Sequence, residues 1–179
     1  LIYIFILKFM DGTRVLKLRD LAINEALKSS CKFKHGALII KGNKVICSAH
    51  NNSRTSFLGK MDYQQHAEMA VVTKFFNHYI RRDNVILRNL HRYKIFVVRI
   101  PNDYCKQNNR VTVLSAPCMT CIKRLKQLGF KKILYSNDCN KIEEIDIQNN
   151  CSFIHYTSTH NRKVQLFNSD IFTRQKMDI

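Results

Sequence analysis

The chain has 179 residues, enough for one domain with a substantial core. Hydrophobic residues make up 45% and charged residues 24%, which is typical of a soluble globular protein and excludes a disordered chain. The 30 basic and 13 acidic residues give a formal net charge of +17. This charge favours polyanionic ligands, from a nucleotide phosphate to RNA or DNA. An AT-rich genome, which enriches Asn, Ile and Lys, is the competing explanation.

The beginning of the chain is apolar but does not resemble a targeting segment. Residues 1–7 are too few to cross a bilayer and lack the basic region and cleavage site of a signal peptide. The first methionine is Met10, so we expect residues 1–9 to be an upstream translation product or the remnant of a longer sequence. The seven cysteines are an odd number, which argues against a disulfide framework. We therefore expect an intracellular, reducing compartment and no membrane association.

In the first half of the chain, apolar periodicity predicts two helices with a hairpin between them. We expect, in order, a helix over 16–30, strands over 36–40 and 45–49, a long loop over 51–65 and a helix over 67–79. The hairpin turn has Gly42-Asn43 at its tip, a pair that suits tight turns.

The second half alternates strands with helices. We expect a strand over 94–100, a helix over 118–128 ending at Gly129, a strand over 132–135, a short helix over 141–147 and a last strand over 151–157. This order predicts a mixed sheet covered by helices on both faces. We assign residues 1–15 to an N-terminal extension, 16–160 to the domain and 161–179 to a tail.

A basic segment interrupts the second half of the domain. The insertion over 77–93 includes the sequence RRDNVILRNLHR, with four arginines and one acidic residue. It could bind phosphate, form a subunit interface or be an exposed surface segment, and the sequence leaves these three interpretations open.

Two short segments carry the residues suited to catalysis: His66-Ala67-Glu68 and Pro117-Cys118-Met119-Thr120-Cys121. One imidazole and two thiols can hold a zinc ion whose fourth tetrahedral position stays open. Zinc lowers the pKa of the water it binds, and the carboxylate of Glu68 could take the released proton and pass it on. Pro117 suits a helix start, so we expect both segments at helix N-termini, where the positive end favours thiolates.

Each half of this motif alone has a simpler interpretation. A lone Cys-x-x-Cys pair can be half of a structural zinc site or a redox motif. A redox motif does not account for His66 and Glu68, and a structural site requires a fourth ligand. The candidates for a fourth ligand are Cys105, Cys139 and Cys151. None of them has a second Cys or His at ligand spacing. His78 and His91 with Cys105 form a candidate second zinc site.

With these motifs, the chain resembles the cytidine and deoxycytidylate deaminase superfamily over most of residues 19–157. The resemblance includes the strand pair beginning at Gly36-Ala37, the asparagine after the second strand, and the segment from Ser115 to Cys121. The segment 125–135 resembles the family's helix-glycine-strand unit. The resemblance implies a three-layer α/β/α fold with a mixed, about five-stranded sheet, and zinc-dependent hydrolytic deamination of a base with release of ammonia.

The resemblance also implies individual roles. The zinc ligands would be His66, Cys118 and Cys121, and Glu68 would be the catalytic proton shuttle. Four substrate contacts are implied: Asn51, the backbone N–H of Ala67, Ala37 in the pocket floor, and Ser115. Asn52 is the alternative to Asn51. Arg54 is a candidate phosphate ligand, and Arg54-Thr55 resembles a pair in viral and bacteriophage deaminase-like proteins, which suggests a viral origin.

Three functions remain open at this point. The first is conversion of cytosine to uracil on a free nucleoside or nucleotide such as dCMP, in a homo-oligomer. The second is editing of adenosine or cytidine in tRNA or single-stranded nucleic acid, which the charge of +17 favours. The third is an inactive binding protein that retains zinc for stability. Glu68 argues against the third, because a structural zinc does not need a carboxylate beside it.

Overall fold

The computed structural model describes residues 12–54, 56–57, 60–61, 65–80, 87–102 and 111–148. The elements, in chain order, are α1 (Gly12–Leu27), β1 (His35–Lys41), β2 (Lys44–His50), β3 (Ser56–Phe57), β4 (Lys60–Met61), α2 (Ala67–Phe75), β5 (Tyr93–Arg99), α3 (Met119–Leu128), β6 (Lys132–Ser136) and β7 (Ile142–Asp146). A π-helical turn, Phe76–Ile80, extends α2, and a 3₁₀ segment, Leu87–Arg92, leads into β5.

Five strands form the main sheet, in the order β2-β1-β5-β6-β7. Strands β5 and β6 run parallel, and every other neighbouring pair is antiparallel. The parallel pair requires a crossover, which α3 supplies. Strands β3 and β4 pair with each other in a separate two-stranded sheet. The prediction of a mixed, five-stranded sheet is confirmed.

Both faces of the sheet are buried, and the alternation of side chains along the strands separates two cores. Ala37 and Ile39 of β1 pack into the cluster that contains residues of α2 and α3. Leu38 and Ile40 pack on the opposite face with Leu18 and other residues of α1. The three layers are therefore α1, the sheet, and α2 with α3, as the sequence predicted.

Gly36 sets how closely α1 approaches the sheet. A Cβ atom at this position would lie 2.0 Å from the carbonyl oxygen of Ala22 and 2.7 Å from the backbone nitrogen of Ala26. Both atoms belong to the backbone of α1, so no side-chain rotation could relieve the contact. The glycine is required because the helix backbone occupies the space of a side chain.

A buried carboxylate also joins α1 to the sheet. Glu25 is 7% exposed and accepts hydrogen bonds from Ser48 Oγ at 3.1 Å and Lys28 Nζ at 2.8 Å. Its second oxygen lies 3.1 Å from Nδ1 of His50. Burial acts to raise the pKa of Glu25, but the hydrogen bonds from Lys28, His50 and Ser48 outweigh it and lower the pKa.

Most predicted elements are confirmed, with shifted ends. α1 begins at Gly12, four residues before the predicted start, and α3 ends at Gly129, whose φ of 95° is the left-handed conformation of a helix C-terminus. The loop over 51–65 includes β3 and β4. The predicted strand over 151–157 lies outside the described residues. Within the described ranges, no helix is both long and apolar enough to cross a membrane.

The short helix predicted over 141–147 is wrong, because this segment is strand β7. Asn137 Oδ1 accepts hydrogen bonds from the N–H groups of Cys139 and Lys141, and Asn140 takes a positive φ of 59°. These features form a tight turn that returns the chain alongside β6, where Ile145 pairs with Ile133. The turn chemistry of the two asparagines outweighs the helical pattern of the following residues.

Replacing Gly36 by alanine tests the packing of α1. We expect the free energy of unfolding to fall by about 1–3 kcal/mol, because α1 must move away from the sheet. Gly12→Ala is the control, since nothing lies within 4 Å of a Cβ at that position. Denaturant unfolding would measure both variants. Equal stability of Gly36→Ala and the wild type would show that α1 is not held at this distance.

Candidate active site

Two helices begin at the same place on one face of the sheet. His66 is the N-cap of α2 and Cys118 is the N-cap of α3, both in extended backbone conformation, with ψ of 155° and 160°. Pro117 precedes the cap, so α3 starts one residue later than predicted. The prediction that both segments lie at helix N-termini is confirmed. The positive ends of two helices therefore face the same point.

Three ligand atoms converge at this point. Nδ1 of His66 lies 3.5 Å from the sulfur of Cys118 and 3.5 Å from the sulfur of Cys121, and all three atoms lie within 4.8 Å of one another. Tetrahedral zinc bonds of ordinary length would separate a nitrogen and a sulfur ligand by about 3.6 Å. The arrangement therefore fits a zinc ion with His66, Cys118 and Cys121 as ligands and a fourth position open.

The two sulfurs shift the pKa values of each other in opposite directions. The hydrogen bond from the Cys121 thiol is the largest cause that lowers the pKa of Cys118 to about 4, and His66 contributes after it. The same interaction, together with burial, raises the pKa of Cys121. A site that stabilises one thiolate favours the binding of a cation. A bound metal cation would in turn keep both sulfurs deprotonated.

Glu68 lies in the first turn of α2, beside the three ligands. Glu68 is only 5% exposed, and this burial raises the pKa of its carboxyl above the usual value. The positive charge of His66 opposes this increase and the charge of Cys118 adds to it. The charge of Glu68 also acts on Cys121. A buried carboxyl with a raised pKa, near a metal site, is suited to accept and return a proton.

Asn51 and Asn52, the predicted substrate asparagine and its alternative, have different surroundings. Asn51 is 7% exposed; its Oδ1 accepts from the N–H of His35 at 2.8 Å, and its Nδ2 donates to the carbonyl of Phe33 at 2.7 Å. Asn52 contacts Gln65, another buried side chain. The amide of Asn51 thus fixes the segment before β1, and one N–H and one lone pair remain for a ligand.

The other predicted contacts lie at or near the same end of the sheet. Ala37 is fully buried opposite Ala49 and shares a core cluster with Ala67 and both zinc-ligand cysteines. Ala67 is the first residue of α2, so its N–H has no partner within the helix. The Ser115 hydroxyl donates to the carbonyl of Val97 at 3.0 Å and joins β5 to the end of β6. This hydroxyl supports the sheet, and its contact with substrate stays a prediction.

Arg54, the predicted phosphate ligand, is exposed, and its backbone N–H donates to Oδ1 of Asn52 at 3.0 Å. Arg81 and Arg82 lie outside the described residues, as does Cys105 of the candidate second zinc site. Among the described residues, one group of side chains lies close enough together to hold a metal ion, and it consists of the three predicted zinc ligands.

The sequence analysis missed two residues at this end of the sheet. His35 opens β1 and Arg99 closes β5, and the two are paired across the sheet. Both continue the alternation of Ala37 and Val97, which face the zinc ligands. Strands over 36–40 and 94–100 were predicted from the sequence, but the pairing of β1 with β5 was not.

The comparisons with known proteins agree with this geometry. A family model described as the cytidine and deoxycytidylate deaminase zinc-binding region matches residues 13–137. No curated protein matches with significant similarity. Among solved structures, dCMP deaminase from the cyanophage S-TIM5, in complex with dCMP and dUMP, is 19% identical with a TM-score of 0.50, over 72% of this chain and 85% of its own. Cytidine deaminase from Burkholderia pseudomallei is 18% identical with a TM-score of 0.51, over 77% of this chain and 98% of its own.

The two solved structures share the fold, and the family match covers well over half of the chain. The resemblance found in the sequence is confirmed, and so is its zinc-binding region. The chain therefore belongs to the cytidine and deoxycytidylate deaminase family.

Proposed function

We propose that the protein is a zinc-dependent hydrolase that converts a cytosine base to uracil and releases ammonia. The proposal rests on the convergence of His66, Cys118 and Cys121 on one point beside the buried carboxyl of Glu68. We propose a free nucleoside or nucleotide as the substrate, with deoxycytidylate as the leading candidate. The cyanophage relative, which binds dCMP and dUMP, supports that choice.

The chemistry divides between the metal and the chain. When bound, zinc supplies a Lewis acid that makes water acidic enough to react near neutral pH. Glu68 takes one proton from the attacking water and gives it to the ring nitrogen of the base. It then takes the second proton, from the hydroxyl group now on the ring carbon, and gives it to the amine, which leaves as ammonia. Burial suits Glu68 to this role, because it raises the pKa of the carboxyl and so makes the group a better proton acceptor. Ala67 would donate its backbone N–H to the carbonyl of the base.

Ammonia release from a panel of substrates tests the proposal. The panel includes dCMP, deoxycytidine, cytosine, adenosine, guanine and a tRNA pool, with uracil formation measured alongside ammonia. Release from dCMP or deoxycytidine supports the proposal. Release from the tRNA pool alone would replace it with nucleic-acid editing, and release from none by zinc-loaded protein would contradict it.

We propose that the protein is a homo-oligomer in a reducing intracellular compartment. The odd number of cysteines argues against a disulfide framework and supports the choice of compartment. Size-exclusion chromatography with light scattering would measure the assembly, and a monomer at working concentration would contradict it.

The zinc ligands make the first functional prediction. Protein purified without added metal should contain about one equivalent of zinc. Cys118→Ala should lower the affinity for zinc by more than about 100-fold. The reason is that removing a residue that only hydrogen-bonds to a metal ligand already lowers metal affinity by about 10–100-fold. Elemental analysis and a metal-competition titration would measure both values. Cys139→Ala is the control, since Cys139 is exposed. Full zinc content in Cys118→Ala would refute the ligand assignment.

The second functional prediction concerns the proton transfers by Glu68. Glu68→Gln keeps the volume and the hydrogen-bonding capacity of the side chain but cannot carry a proton between atoms. We expect turnover to fall by about 10⁴-fold, the upper end for general acid–base catalysis, because the carboxyl acts more than once in each cycle. Zinc content and substrate binding should stay near the wild-type values. Steady-state kinetics on the zinc-loaded variant would measure the loss.

The matched control is Glu25→Gln, which changes a similarly buried carboxyl on the opposite face of the sheet. Its turnover should stay near that of the wild type wherever the variant is folded. Wild-type turnover in Glu68→Gln would eliminate the proposed mechanism. Loss of zinc from that variant would instead make Glu68 a ligand.

A further inference from the structure

Three polar side chains lie in a row across the sheet, at the end next to the zinc site. His35 of β1 pairs with Arg99 of β5, and the N–H of Asn51 donates to the carbonyl of His35 at 3.1 Å. Along their strands, His35 and Arg99 lie two residues beyond Ala37 and Val97, which pack in the cluster containing Cys118 and Cys121. The alternation of strand residues therefore places this row on the zinc face.

Arg99 stacks on an aromatic ring, and among the described residues it has no acidic partner. Its guanidinium carbon lies 4.6 Å from the centre of the Phe33 ring, a stacked cation–π arrangement. Nε of Arg99 is buried and has no hydrogen-bond partner among the described residues. No ion pair within the described ranges includes Arg99. An aromatic ring positions the guanidinium but does not cancel its charge, so the stacked group can still attract an anion.

His35 is neutral and has a fixed tautomer. Burial lowers the pKa of His35 to about 4, opposed by the hydrogen bond to Phe33, and the charges of Arg99 and His66 lower it further. Nδ1 lies 3.2 Å from the carbonyl oxygen of Phe33, which can only accept, so Nδ1 carries the proton. Nε2 is then an acceptor, suited to a hydroxyl group. The charges of Arg99 and His66 both act on His35, so both groups lie within electrostatic range of its ring.

We propose that Arg99, positioned by Phe33, binds the phosphate of a nucleotide substrate whose base occupies the zinc site, and that His35 and Asn51 contact the sugar between them. The inference rests on the proposed function and narrows its substrate to a cytosine nucleotide. The guanidinium offers a planar set of donors that matches phosphate oxygens. His35 offers an acceptor and Asn51 a donor and an acceptor, as a sugar hydroxyl requires.

This assignment differs from the one that the sequence suggested. Arg54 is exposed, whereas Arg99 is half-buried, stacked on Phe33 and placed in the row that faces the zinc ligands. A partly desolvated, fixed arginine binds phosphate more strongly than an exposed one, because less side-chain freedom and less hydration are lost on binding.

The test compares a nucleotide with its nucleoside in two variants of equal charge. Arg99→Gln should raise KM for dCMP about 10–100-fold, the scale of a lost charge-assisted hydrogen bond, with little change in KM for deoxycytidine or in kcat. Arg92→Gln is the matched control, since Arg92 is exposed immediately before the same strand. Phe33→Leu should raise KM for dCMP by a smaller factor, because the guanidinium loses its support but stays in place.

The outcomes separate this inference from the proposed function. Equal changes in KM for dCMP and deoxycytidine in Arg99→Gln, or equal kcat/KM of the wild type on both, would overturn the inference and leave the deaminase proposal standing. Should no cytosine substrate be deaminated, equilibrium binding still decides: weaker binding of dCMP by Arg99→Gln than by Arg92→Gln supports the phosphate site, and equal binding overturns it. Preference of the wild type for a single-stranded oligonucleotide over dCMP would also overturn it.

Discussion

The structure depends on the approach of two helix N-termini that are distant in the sequence. His66 and Cys118 are 52 residues apart, and Nδ1 of the first lies 3.5 Å from the sulfur of the second. Each cap is local, but their separation is set by the sheet beneath them. Ala37, Ile39, Ile95 and Val97 provide a flat, buried platform on which α2 and α3 can start side by side. Small side chains at Ala37, Ala49 and Ala67 keep that platform close to the metal ligands.

The parallel pairing of β5 with β6 gives the second ligand segment its position. A parallel neighbour requires the chain to cross back over the sheet, and α3 makes that crossing. The residues before α3 therefore lie at the end of the sheet where β5 finishes. Ser115 holds the segment before α3 against the sheet, because its hydroxyl contacts the carbonyl of Val97 in β5 and the hydroxyl of Ser136 in β6. Sheet order thus determines catalytic geometry through a few buried polar contacts.

The sequence predicted the parts of this arrangement that are local or chemically distinctive. Short apolar runs identified β1, β2 and β5, and the residue types of His66, Cys118 and Cys121 identified the ligand set. β7 was mistaken for a helix, because the residues of 142–146 have no strong strand alternation and the deciding contacts come from the turn at Asn137 and from pairing with β6. Strand pairing is not encoded locally, so the neighbours of His35 and Arg99 could not be read from the sequence.

Two buried polar groups, one on each face of the sheet, have different surroundings. On the α1 face, Glu25 is surrounded by Ser48, His50 and Lys28, and its hydrogen-bonding capacity is used within the protein. On the zinc face, Arg99 has a buried nitrogen without a partner in the described part of the chain, and the Asn51 amide keeps unused capacity. Leaving a buried donor without a hydrogen bond costs free energy. Nε of Arg19 in α1 is also buried without a hydrogen bond, but it lies 3.6 Å from a carboxylate oxygen of Asp20, whereas Arg99 has no such neighbour among the described residues. Under the proposed function, a phosphate bound to Arg99 would supply the missing partner.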